Sequence, residues 1–260
     1  VGSATTQALV ASASALATTP VDLDTARELF AAARAAGQSP ALGGALADHA
    51  AEPGARTALV GRVFGSLSDS ARSLLVAVAA ERWSSAADLV AGIEELAIRA
   101  AAQADTADVE GELFQVTRVI ADNPELELAL GARLGDAGKK GDLVERILQG
   151  SVGAGALLIA RSVVEQPGER RVRQALERAI AIVAAQRGRS VATVHTATPL
   201  TDAQRDRLAS SLSRTYGTPV TINAVVDPEV VGGIRVQIAD DVIDGSISSR
   251  LADLRSRLAG

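Results

Sequence analysis

Chemistry at neutral pH draws on a small set of side chains, and this 260-residue sequence is poor in most of them. It has no cysteine, which removes thiolate nucleophiles, thiolate metal sites and disulfides together. His49 and His195 are the only histidines, and neither has the Glu-x-x-His spacing of a metal site, so both read as ordinary surface or strand residues. The run Gly135-Asp136-Ala137-Gly138-Lys139-Lys140 has the outline of a phosphate loop. It fails at both ends: Arg133 stands where the first glycine belongs, and Lys140 stands where a Ser or Thr would meet magnesium. Gly150, Gly153 and Gly155 have neither the order of a dinucleotide fingerprint nor a strand before them. Asp240, Asp241 and Asp244 could suggest calcium, but a turn and a helix N-cap account for them more simply. No G-x-S-x-G elbow occurs. These residues point away from an enzyme and away from a bound cofactor or metal. What remains is recognition by apolar faces.

The elements that carry those faces must be built without aromatics. Phe, Trp and Tyr make up 2% of the chain, with one Trp and one Tyr, so cores come from Ala, Leu, Val and Ile, which suits closely packed helices. A net charge of −5 and a pI near 5.2 argue against nucleic acid or anionic lipid as the main partner. The positive charge is arginine except at Lys139 and Lys140, as expected from a genomic composition bias. Residues 1–21 carry no charged side chain, yet Ser, Thr and Gln interrupt them throughout, unlike the apolar core of a secretory signal. No later segment approaches the ~20 apolar residues that span a bilayer, so the expectation is a soluble chain that reaches a membrane only through a partner. Residues 4–17, with Leu9, Val10 and Leu16 among alanines, read as a short apolar helix that needs a neighbour.

From Asp24 the sequence repeats. Sliding it by 84 residues pairs Glu28-Leu29-Phe30 with Glu112-Leu113-Phe114, Arg34 with Arg118, Pro40 with Pro124, Leu74 with Leu158 and Glu81 with Glu165. The offset then drops to 83, where Leu89, Ile93, Leu96, Ala97 and Ala100 meet Val172, Leu176, Ala179, Ile180 and Val183. Both of those sets follow the spacing of one helical face. Each copy predicts a helix around 28–36 (112–121) that meets a proline, a short helix through Leu42 and Leu46, and helices at 56–64, 69–82 and 85–103. The last helix is under ~30 Å long, which favours compact bundles. Only a short linker, 104–108, separates 85–103 from the second copy. Either that helix is shared between bundles, or the N-terminal helix crosses over to complete the second.

Beyond the repeat, residues 191–198 alternate as a strand, and Thr201-x-x-Gln204 is a capping box that opens a helix with Leu208 and Leu212 on one face. Tyr216-Gly217-Thr218-Pro219 ends it, and Val220, Ile222 and 224–226 make the next strand. Asp227-Pro228 breaks that run, and Gly232-Gly233 permits a bulge or tight bend. Ile234, Val236 and Ile238 alternate as a hairpin strand antiparallel to its predecessor, and Val242-Ile243 form a further short strand. Asp244-Gly245-Ser246 starts a terminal helix carrying Ile247, Leu251, Leu254 and Leu258. The first crossover is expected to be parallel and right-handed. The expected fold is mainly α with a C-terminal α+β module: residues 1–104 as a first bundle, 105–188 as a second, and 189–260 as a strand-helix-strand-strand-helix domain.

The ordered set Asp227-Pro228-x-Val230-Val231-Gly232-Gly233, then Asp244-Gly245-Ser246 and a leucine-bearing helix, resembles the C-terminal signature of the delta subunit of bacterial F-type ATP synthases. That family is the counterpart of the mitochondrial oligomycin-sensitivity-conferral protein, and one copy of the repeat resembles its N-terminal helical bundle. The resemblance implies a non-catalytic stator subunit of the peripheral stalk, one copy per complex, linking the catalytic head to the b-type stalk during proton-driven ATP synthesis. It implies an α-subunit N-terminal helix and a b-type subunit as partners, no nucleic acid, and peripheral placement on the cytoplasmic face of the cell membrane. The family's partner groove lies between its first and fifth helices. In the first copy that groove involves Leu9, Leu16, Leu74, Leu75 and Val78, which is expected to serve ahead of the second copy's Leu157 and Leu158. The alternative is a helical-repeat adaptor that binds another amphipathic helix outside an ATP synthase.

Overall fold

A computed structural model of the chain describes residues 2–132, 135–168, 170–228, 230, 232–238 and 241–245. It contains twelve helices and a four-stranded sheet among those residues, in two compact units, Val1–Val183 and Ala184–Gly260. No helix among the described residues is long and apolar enough to cross a membrane.

The first unit opens with α1 (Ser3–Ala17). The first repeat follows as α2 (Leu23–Gln38), α3 (Pro40–Ala47), α4 (Pro53–Val63), α5 (Asp69–Ala80) and α6 (Ala86–Ala104), and the second as α7 (Val109–Ala121), α8 (Pro124–Gly131), α9 (Ala137–Leu148), α10 (Ala154–Glu165) and α11 (Val172–Gln186). Local chemistry sets these boundaries. The side chains of Asp22, Ser39, Ser68, Ser85 and Asp136 each accept a backbone N–H at a helix start, and prolines open α3, α4 and α8, where their missing N–H costs nothing.

The repeated glutamate of the Glu-Leu-Phe triplet has a repeated task. Glu28 accepts the backbone N–H of Ser68 at 3.1 Å, and Glu112, 84 positions later, accepts that of Gly153 at 2.9 Å. Each carboxylate on the second helix of its bundle thus meets the positive N-terminal end of the fifth.

The helix α6 serves both repeats. It packs on α2, α3 and α5 as the last helix of the first repeat, and on α10 as the helix that precedes the second, just as α1 packs on α5. Two glycines permit the close approaches. The Trp83 ring, its Nε1 donating to the Val78 carbonyl, lies where a Cβ on Gly92 would stand. A Cβ on Gly155 would lie 3.0 Å from the Ala101 carbonyl oxygen, and the Gly155 N–H donates to Asp105 Oδ2 at 2.7 Å. The N-terminal helix does not cross over; it covers α5 and α6 of the first repeat.

The second unit has β1 (Ser190–Thr196), α12 (Asp202–Tyr216), β2 (Val220–Val226), β3 (Ile234–Ile238) and β4 (Asp241–Asp244). Its sheet order is β2-β1-β3-β4. The expected parallel crossover is present, with Ala192 opposite Ile222 and Val194 opposite Ala224. Leu212 of α12 joins Ala192, Val194, Val220, Ile222, Val236 and Ile238 in one core, with Leu208 and Tyr216 packed against it. The capping box at Thr201 and Gln204 is formed, and Gly217 ends α12 at φ 71°.

One topological expectation needs correction. Strand β3 does not form a hairpin with β2; it pairs with β1, on the side away from β2, with Val236 opposite Val194. The hairpin is β3–β4. The chain therefore has to pass the end of β1 between β2 and β3. The 227–233 stretch makes that passage: the Asp227 N–H donates to the Thr196 carbonyl at 2.8 Å, and Gly232 and Gly233 adopt φ of 68° and 79°. The terminal helix with Ile247, Leu251, Leu254 and Leu258, together with Ser246 and Asp240, lies outside the described residues.

Candidate partner-binding sites

The sequence places a recognition surface between α1 and α5, and the structure brings those helices together. Thr5, Ala8, Ser12 and Leu16 form the buried stripe of α1. On α5 the buried stripe is Ala71, Leu74, Leu75, Val78 and Ala79. Hydrogen bonds fix the approach: Thr5 Oγ1 donates to Ser84 Oγ at 3.0 Å and accepts the Ser84 N–H at 3.2 Å. Ser12 returns its hydroxyl to the Ala8 carbonyl at 2.8 Å, so a buried polar group is satisfied inside its own helix.

Leu16, Leu74, Leu75 and Val78 are core residues, with Leu74 and Val78 each 1% exposed. They support this surface from beneath. The side chains of α1 within reach of a partner are Leu9, which is half-buried, and Val10, which is 64% exposed; Val76 and Ala77 on α5 are half-buried.

The equivalent position in the second repeat is partly covered, with Leu157 and Leu158 half-buried. Helix α2 of the first repeat lies against both α6 and α10. Arg34 Nη1 meets Glu165 Oε2 at 2.8 Å across that contact. Glu165 also takes Arg161 Nε at 2.9 Å, and Arg161 reaches on to Asp142 and Glu145 of α9. From α11, Arg178 Nη2 meets Glu95 Oε2 of α6 at 3.3 Å. A small cavity between these helices is lined by Phe30, Glu94, Ile98, Ser162, Gln166 and Arg178. Burial pushes the Glu94 carboxyl above its ordinary range, with Arg178 and Arg170 pulling the other way. Burial likewise lowers Arg178, opposed chiefly by Glu95.

Sequence reasoning missed that α2 covers the second repeat, though a signal existed. From Leu96 to Ala102 every residue of α6 except Arg99 is apolar and buried, which takes up more of the helix circumference than one stripe, the mark of a helix packed on several sides.

In the second unit the motif residues Asp227 and Pro228 sit at the end of β2, beside β1. Asp227 Oδ2 lies 3.4 Å from His195 Nδ1 and 3.9 Å from Arg235 Nη2, which ties the motif to β1 and β3 together. The Gly245 N–H donates to the Ile234 carbonyl at 2.9 Å, closing the open end of the β3–β4 hairpin; Asp244 is the last residue of β4, opposite Arg235. These residues position strands; no group of His, Asp or Glu able to hold a metal ion occurs among the described residues.

Three similar chains carry one name. A chain from Leifsonia xyli, "ATP synthase subunit delta", is 49% identical over 263 residues, covering 100% of both chains. Those of Kineococcus radiotolerans and Streptomyces avermitilis, under the same name, are 39% and 40% identical over 91% and 82% of this chain and 88% and 81% of their own. The family described as ATP synthase delta (OSCP) subunit matches residues 95–258, from within α6 through the second repeat and the C-terminal module. With the described sheet inside that match and full-length relatives at this identity, the chain belongs to the ATP synthase delta (OSCP) subunit family.

Proposed function

We infer that the chain is a non-catalytic peripheral-stalk subunit of the F-type ATP synthase, one copy per complex, at the cytoplasmic face of the membrane. Its helical unit holds the N-terminal helix of an α subunit, and its C-terminal module holds a b-type stalk helix. An amphipathic helix laid in a groove needs apolar anchors at i, i+4 and i+7 and a receptor that does not yield. The α1–α5 surface meets the second condition, because its floor is made of core residues that also carry the fold.

The observation that carries the choice of site is α2 lying across α6 and α10. It lies in cis along part of the groove that α1 and α5 leave uncovered, with Arg34 paired to Glu165, and leaves a cavity of about 360 Å³ lined by Arg27, Leu157, Leu158 and Arg161, even though the family match itself begins only at residue 95. The first repeat is thus the receptor, and the second is joined to the C-terminal module.

Titration of an α-subunit N-terminal peptide against the full chain tests the reading. Leu9→Asp with Val10→Asp should weaken binding at least tenfold while the circular dichroism spectrum stays unchanged, and Leu158→Asp should leave binding intact. Loss in the Leu158 variant alone would move the site to the second repeat. Co-purification with the α, β, γ and b subunits from native membranes tests the stator assignment independently; its failure would favour a freestanding adaptor.

A further inference from the structure

The turn that follows α5 ties four helices together. The last carbonyls of an α-helix have no partner within it. In α5 they are met from elsewhere: Arg56 of α4 donates Nη1 to the Glu81 carbonyl at 2.6 Å and Nη2 to the Ala80 carbonyl at 3.3 Å, and Trp83 Nε1 donates to the Val78 carbonyl at 2.9 Å. The guanidinium is a cation at the negative end of the helix dipole, and its planar fork suits two neighbouring carbonyls. Arg56 and Trp83 are each 3% exposed. Burying a cation against carbonyls, with its Nε left without a partner, is a poor route to stability. It does fix the backbone that leaves α5.

That fixed turn carries α1. The Thr5 hydroxyl donates to Ser84 Oγ and accepts the Ser84 N–H, and a Cβ on Gly2 would lie 2.3 Å from Ser84 Oγ. Ser85 then opens α6 by accepting the Asp88 N–H at 3.1 Å. Leu9 lies one helical turn after Thr5 with Val10 next to it, so the angle set at Thr5 sets where both side chains stand.

The second repeat lacks each part. Residues 166–171, between α10 and α11, include neither Trp nor Ser, and the internal offset falls from 84 to 83 there. Lys140 stands at the position of Arg56 and reaches the Ala132 carbonyl, at the end of α8 and not of α10. Ala175 stands at the position of Gly92, where an added Cβ would lie 2.1 Å from the Trp83 ring.

We propose that Arg56, Trp83, Gly92 and Thr5 are positioning residues of the receptor surface. Gly92 admits the indole, Arg56 and Trp83 lock the turn after α5, and the turn aims α1 through Thr5 so that Leu9 and Val10 meet the incoming helix. The inference rests on the α1–α5 reading and adds the reason why the first repeat, and not the second, builds the receptor.

Two measurements on the full-length chain test it: amide hydrogen exchange of residues 3–17 without a partner, and titration of the α-subunit N-terminal peptide. Gly92→Ala displaces the indole while making α6 a better helix, so a loosened α1 cannot be traced to a weakened α6. Thr5→Val removes the bonds to Ser84 at nearly constant volume, and Thr5→Ser keeps the hydroxyl. Gly92→Ala and Thr5→Val are each expected to speed exchange in α1 at least tenfold and to weaken peptide binding at least fivefold, with exchange in α10 unchanged. Thr5→Ser should match the parent, and Trp83 emission should shift to the red in Gly92→Ala alone. If Gly92→Ala also loses protection in α10, it has disturbed the whole unit and Thr5→Val decides. Unchanged α1 exchange, or faster exchange with peptide affinity intact, would overturn the proposal. The Leu9→Asp with Val10→Asp variant separates the two readings: if it binds the peptide normally the α1–α5 surface itself fails, and if it loses binding that Thr5→Val keeps, only the positioning role fails.

Discussion

Glu94 is a carboxyl held in an unfavourable position. It sits on the helix shared by the two repeats, beside a cavity that α2, α10 and α11 also line, and burial raises its folded-state pKa above the ordinary 4.5. A carboxyl with a raised folded pKa binds its proton more tightly when folded. Its contribution to stability is fully present below pH 4.5 and is lost as pH rises through the folded value. Glu94→Gln keeps the neutral form at every pH. The variant should therefore melt at a higher temperature than the parent at pH 7.5, with the two converging as pH falls towards 4.5. Equal melting at pH 7.5, or a less stable variant, would mean that Arg178 fully compensates the burial.

At the scale of elements, the passage from β2 to β3 is where backbone shape decides topology. The chain must clear the end of β1, and it does so with two successive glycines at positive φ, a region that costs a side-chain-bearing residue roughly 1–3 kcal/mol at each position. Gly232→Val with Gly233→Val should lower the melting temperature of the C-terminal module and, under the proposed function, weaken its binding of a b-derived helix. Unchanged stability and binding would remove the glycines from that role. The need for special residues here was legible from Asp227-Pro228 and Gly232-Gly233, but the destination of the strand was not. Alternation in Ile234, Val236 and Ile238 says that one face is buried and is silent about which neighbour a strand joins. The helices were more transparent. Prolines and caps, which are local signals, together with the internal offset of 84 falling to 83, located all five helices of each repeat. Leu74 and Val78 show the limit: an apolar stripe at helical spacing looks the same whether it awaits a partner or is already covered by α1.

The whole chain divides its aromatic probes between its two compact units. The single Trp, Trp83, lies in Val1–Val183, and the single Tyr, Tyr216, in Ala184–Gly260. Denaturant titration followed by Trp fluorescence and by the Tyr near-ultraviolet signal should give two transitions with different midpoints. Far-ultraviolet helicity of the two repeats should be lost in one step, coincident with Trp83, because they hold α6 in common. A separate helical transition without a Trp83 change would mean that the second repeat unfolds alone.

The common helix also bears on how such a chain can lengthen. If the last helix of one repeat is the opening helix of the next, a duplication of five helices restores every interface with no helix left over, while a duplication of six would strand one apolar stripe in water. Growth is then quantised in steps of about 84 residues, each step consuming the end of the one before, as in additive repeat arrays. In that arithmetic α1 takes at α5 the place that α6 takes at α10: an uncharged helix, largely of Ala, Ser and Thr, whose buried stripe lies against α5 and α6.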